Sequence, residues 1–174
     1  MIKKEDIKYR VGNIGKNKQT SEITGVTFLI YIDARTAYDE LDALYKDQWG
    51  FNWEYIPNEN GVKGTLTVGS RSFSDVGYPS ASKIEAGETK GEWMKDAVSD
   101  AVKRCAVQLG IGRELYDAPF LYLKADMLNL DQTGKYMQKR SNTDGEYSDI
   151  STEGRQMIED NIDKWYNKLD KPKL

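Results

Sequence analysis

Lys103 and Arg104 stand side by side in the stretch SDAVKRCAVQLGIGREL, which runs from Ser99 to Leu115. Lys95 precedes them by two helical turns, and Arg113 follows just past a Gly-Ile-Gly. Cations grouped in this way take up phosphates when a rigid element presents them together. Phe51, Trp53 and Tyr78 add rings at positions that read as turns. Rings beside cations suit single-stranded nucleic acid, whose phosphates follow charge and whose bases stack on aromatic faces. The competing explanation is a solvated helix end, where cations complement the C-terminal dipole.

Other chemistry has little to work with. The 174 residues contain no histidine, which removes the commonest general base and the commonest transition-metal ligand. Cys105 is the only cysteine, so no intrachain disulfide forms, and it reads as a small core residue. Asp33, Asp39, Glu40 and Asp42 could bind Mg²⁺ in principle, but a solvated helix face accounts for them. Gly110-Ile111-Gly112 follows a helix instead of linking a strand to a helix N-terminus, and there is no Walker sequence. No cofactor, metal or nucleotide is therefore expected, and the chain reads as a binding protein and not an enzyme. With 25 Lys+Arg against 28 Asp+Glu the net charge is −3, so any polyanion site must be a local concentration of cations. No run approaches the ~20 apolar residues of a membrane span. The charged opening MIKKEDIKYR lacks a signal-peptide core, so a cytoplasmic protein is expected.

The elements that would position these residues follow from periodicity. DIKYRVGNIGKNKQTSEITGVTFLIYID reads as two strands joined by a polar loop. Thr27, Leu29 and Tyr31 alternate with Phe28, Ile30 and Ile32, which predicts a strand covered on both faces. Ala34, Ala37, Tyr38, Leu41, Leu44 and Tyr45 recur at helical spacing, with Asp33 placed to cap the N-terminus. Three antiparallel strands should follow, with turns at PNENG and GSRS. Thr89 and Glu92 then form a capping box ahead of an apolar stripe from Trp93 to Leu109, and Gly110 is the expected stop. The fold class is α+β: a mainly antiparallel sheet, in a β-β-β-α core, packed against a long helix. Residues 129–150 read as a linker, and 151–174 as a separate amphipathic helix with Ile158, Ile162, Trp165 and Leu169 on its apolar edge.

Four of these stretches, in order, carry a family resemblance: YIDARTAYDELDALY, WGFNWEY, FSDVGYPSA and KGEWMKDAVSDAVKRCAVQLGIGRELYDAP. They resemble the Rad52 family of single-strand annealing proteins, its shorter bacteriophage members in particular, over about residues 6–128. The resemblance implies a core, residues 1–128, that assembles into a ring or helical filament with single-stranded DNA in a groove. It further implies annealing of complementary strands in recombination and repair without ATP. On that likeness Lys103 and Arg104 line the inner groove, joined by Arg35 and Phe51, while Lys63 and Lys83 fall near an outer DNA contact. Val107 stands where eukaryotic members carry a third cation, which implies either a less basic inner groove or one in which Arg113 takes that place. The family's partner-binding tail has no counterpart, and a single-strand binding or replication protein is the candidate partner. If of phage origin, the protein would act in a host's cytoplasm. The alternatives are a carboxylate-metal nuclease acting on recombination intermediates and a plain single-strand binder.

Overall fold

In a computed structural model, residues 1–79, 89–128 and 150–169 are described, and they form two compact units. The first comprises residues 1–6 and 32–114; the second comprises 7–31 and 115–174.

The first unit holds the expected β-β-β-α core. Helix α1, Ala34–Tyr45, buries Ala37 and Leu41 as its periodicity predicts. Leu44 is 57 % exposed, however, and Thr36 is buried instead, so the buried stripe ends one turn early. Asp33 occupies the N-cap position with extended backbone but makes no side-chain capping bond. Strands β3 (Trp49–Ile56), β4 (Gly61–Val68) and β5 (Arg71–Gly77) pair antiparallel in that order. On β4, Val62, Gly64 and Leu66 are buried, and helix α2, Lys90–Gln108, packs against this strand and β5. Two glycines permit the close approach. A Cβ on Gly77 would overlap the backbone of α2 at Ala97 and Ala101, and one on Gly64 would lie 2.9 Å from the Ala101 Cβ.

Both ends of α2 are specified locally. The Glu92 carboxylate accepts from the Thr89 N–H at 2.9 Å and from its hydroxyl at 2.8 Å, the expected capping-box partnership. At the other end Gly110 takes φ +97°. Its N–H donates to the Val107 carbonyl at 2.9 Å and that of Ile111 to the Ala106 carbonyl at 3.1 Å. This is a Schellman stop, and the left-handed residue at its centre explains the glycine.

The second unit has strands β1 (Lys8–Lys16), β2 (Ile23–Tyr31) and β6 (Leu121–Lys124) in the order β1-β2-β6, all antiparallel. Val11, Val26, Phe28, Leu121 and Leu123 form its core together with Ile150, Ile158 and Ile162. The last two belong to helix α3, Thr152–Tyr166, whose start is capped by the Ser151 hydroxyl accepting from the Gly154 N–H at 3.0 Å. This differs from the expectation of a helix set apart behind a linker: α3 completes the hydrophobic core over β1, β2 and β6. β2 also differs from expectation. One face is buried, but Leu29 on the other is 46 % exposed, so the described residues cover only one side fully. The expected linker, residues 129–150, lies outside the described residues except at Ile150.

Candidate nucleic-acid interface

Lys103 and Arg104 are adjacent on α2, so the helix turns their side chains about 100° apart. Arg104 leans over β5. Its Nε donates to the Asp75 carboxylate at 3.0 Å, with Arg104 48 % and Asp75 29 % exposed. One turn on, the Gln108 amide donates to the Ser74 carbonyl at 3.1 Å and to the same carboxylate at 3.4 Å. Partial burial pushes the Asp75 carboxyl up. The Arg104 bond, the Val76 N–H and the Gln108 amide outweigh that and hold it below its ordinary value. Lys103 is half-buried on the neighbouring arc, and Lys95 is exposed two turns earlier.

Arg113 performs a task that its sequence position did not reveal. Its Nε and Nη2 donate to the Val107 carbonyl at 3.3 and 3.0 Å, and Nη2 also reaches the Gln108 carbonyl at 3.0 Å. It therefore adds a charged donor to the Val107 carbonyl, which also accepts from the Gly110 N–H, and caps the Gln108 carbonyl in the last turn of α2. Arg35 is exposed in the first turn of α1. Lys63 is exposed on β4, opposite Glu54 of β3 and Val76 of β5. Because Val62 and Gly64 face α2, strand alternation puts Lys63 on the sheet face away from that helix. On α2, Lys95 and Lys103 lie within about 80° of one another, Arg104 is turned about 180° from Lys95 toward β5, and Lys63 stands apart from all three on the other face of the sheet. Lys83 lies outside the described residues.

Phe51 is mid-strand in β3 and not in a turn. It packs against Val62, Ala97 and Ala101 between sheet and helix, so it supports α2 from beneath. Trp53 and Tyr78 are the exposed rings of this unit, at 44 % and 50 %. The Tyr78 hydroxyl donates to Glu59 at 3.2 Å, and that bond raises its pKa. Cys105 is buried beside the Gly64 carbonyl, its Sγ at 3.7 Å, and burial pushes the thiol up, as suits a core residue. Among the described residues, no group of three or more acidic or cysteine side chains is placed to hold a metal ion. Among them, too, no helix is long and apolar enough to cross a membrane.

Asp75 and Gln108 are the site residues that sequence reasoning missed. The motif FSDVGYPSA contains Asp75, but its pairing with Arg104 depends on how β5 lies under α2, which no local pattern encodes. β6 was also missed, although Leu-Tyr-Leu-Lys is a period-two signal.

Comparison with known proteins locates relatives. A family model described as Rad52/22 family double-strand break repair protein matches residues 1–134. The single-stranded DNA-binding protein DdrA of Deinococcus deserti is 45% identical over 102 residues, which cover 58% of this chain and 47% of that protein. DdrA of Deinococcus radiodurans is 44% identical over 101 residues, covering 57% and 45% respectively. The matched part thus spans under half the length of these curated relatives. No solved structure matches the chain.

Proposed function

The chain belongs to the Rad52/22 family of double-strand break repair proteins, and on that premise we propose that it binds single-stranded DNA and anneals complementary strands without ATP. It is a binding protein in this reading, holding strands while making and breaking no covalent bond. The observation that carries it is the family match over residues 1–134, which takes in the whole β-β-β-α unit and every cation on α2. The two relatives named as single-stranded DNA-binding proteins support the choice of ligand. Lys103, Arg104 and Lys95 on α2, with Arg35 on α1, take phosphates. Lys63, and Lys83 by the family likeness, serve a separate contact. Arg113 contributes by holding the end of α2, and Phe51 by supporting it. Assembly into a ring or filament supplies a continuous groove, and a single-strand binding or replication protein is the partner that would deliver DNA to it.

The test is annealing of dye-labelled complementary oligonucleotides by the purified protein, with and without ATP. Annealing is expected in both, and Lys103→Ala/Arg104→Ala should slow it. The same variant should flatten the slope of log affinity against log salt by up to about 1.4, for two single-strand phosphate contacts. A wild-type protein that binds no single strand sinks the proposal.

A further inference from the structure

We infer that the outer face of the β1-β2-β6 sheet is a second surface for single-stranded DNA, on which bases stack inside a rim of cations. The inference rests on the reading above and extends it to the unit that does not carry α2. Residues paired across an antiparallel ladder share a face. Opposite the core-facing set, Lys8 stands across from Tyr31, Arg10 from Leu29, Tyr122 from Thr27, and Lys124 from Gly25. Among the described strand residues of that face there are three cations and no carboxylate, in a chain of net charge −3.

Its rings lie along the sheet. A Cβ on Gly25 would collide with the Tyr122 ring, so the ring rests on bare glycine backbone while its hydroxyl donates to the Thr24 carbonyl at 3.3 Å. Tyr122 is nonetheless 42 % exposed. The Arg10 guanidinium lies 5.7 Å from the centre of the Tyr31 ring. Phe120, one residue ahead of β6, is 78 % exposed. Thr27, which faces Tyr122, is four residues from Tyr31, so the two tyrosines are about 13 Å apart along the strand direction. That length suits two or three stacked bases, the number that sheet platforms of RNA-binding domains accommodate.

Among the described residues Leu29, Phe120 and Tyr122 each stay more than 40 % exposed, apolar surface of the kind that marks an interaction site. A second copy presenting the same face would set cation against cation, whereas a polyanion with stackable bases complements both the rings and the charge.

The test uses the full chain and an iodouracil-substituted oligothymidylate. Irradiation should cross-link it to the peptides carrying Tyr31, Phe120 or Tyr122. Phe120→Ala should weaken binding roughly five- to a hundredfold, the range for losing one stacked base, and should leave binding of an abasic oligonucleotide of equal length unchanged. Arg10→Gln/Lys124→Gln should weaken both and flatten the salt slope by about 1.4. Wild-type protein that binds no oligonucleotide overturns both this inference and the family reading. Binding with cross-links only in residues 32–114, and with both variants unaffected, overturns the second surface and leaves the α2 reading standing. If the variants instead change the oligomeric mass by light scattering, with cross-links still elsewhere, the face is a subunit interface and the inference falls.

Discussion

Shortening Ile158 to alanine tests whether α3 belongs to the core of the β1-β2-β6 unit. Ile158 is 1 % exposed and lies in one cluster with Val11, Phe28, Leu123, Ile150 and Ile162. The approach is close: a Cβ on Gly154 would sit 2.6 Å from the Met127 carbonyl oxygen and 3.1 Å from Leu123 Cδ1. Such a site cannot collapse easily around a lost side chain, so Ile158→Ala should cost about 2–5 kcal/mol. That is a large share of an ordinary stability of about 5–15 kcal/mol. For a chain of this length each kcal/mol moves the melting midpoint by about 2–4 °C, which predicts a fall of roughly 4–20 °C. Glu159, the exposed neighbour, is the control, and Glu159→Ala should stay within about 0.5 kcal/mol. The assay is thermal unfolding followed by circular dichroism. A chain ending at Leu128 should lose the cooperative unfolding of this unit, because Ile150, Ile158 and Ile162 all leave with the deleted segment. An Ile158→Ala melt within a degree of wild type, or an unchanged melt of the shortened chain, refutes the reasoning.

Gly77→Ala should destabilise by about 3 kcal/mol, the upper end for overpacking, because the obstacle is the backbone of α2 and not a side chain that could swing away. Gly91→Ala, with open space around the site, should be neutral or stabilising, and urea midpoints compare the two. Asp75→Asn should remove stability in a pH-dependent way. The folded pKa of Asp75 is lowered, so its contribution is complete above the ordinary carboxylate value and disappears as pH falls through the lower folded value. The stability gap between wild type and Asp75→Asn should therefore be constant from neutral pH down to about 4 and close below it. A gap that persists unchanged into stronger acid counts against the Arg104 tie as its source.

The elements with strong period or punctuation were legible: α1 from its apolar spacing, the meander from its turn residues, and α2 from Thr89, Glu92 and Gly110. Their spatial partners were not. Arg113 reads as a phosphate ligand because it follows the cation-bearing helix just past its glycine stop, and what the sequence does not show is that the Schellman turn also brings it over the Val107 and Gln108 carbonyls. Phe51 looked like an exposed ring because it follows a glycine, yet β3 continues through Gly50 and turns Phe51 under α2. α3 looked detachable because the polar stretch before it hides that Ile150 pairs with Leu128. The Arg113 contacts depend on the turn that ends α2, and the others join residues far apart in the chain; amphipathic spacing encodes neither.

The tie between Arg104 and Asp75 changes what this arginine can contribute to DNA binding. A carboxylate at 3.0 Å already cancels most of its charge at the distance of a solvent counterion, so Arg104 adds little to the long-range field that steers a polyanion. The same contact fixes the guanidinium before DNA arrives, and less side-chain entropy is then lost when a phosphate is met. Arg104 therefore acts at short range, on a phosphate already within reach. Arg104→Ala alone should weaken binding while flattening the slope of log affinity against log salt by well under the roughly 0.7 of one full single-strand phosphate contact, and should release Asp75 toward its ordinary pKa. A slope that flattens by the full 0.7 or so would mean that Asp75 gives up Arg104 when DNA binds.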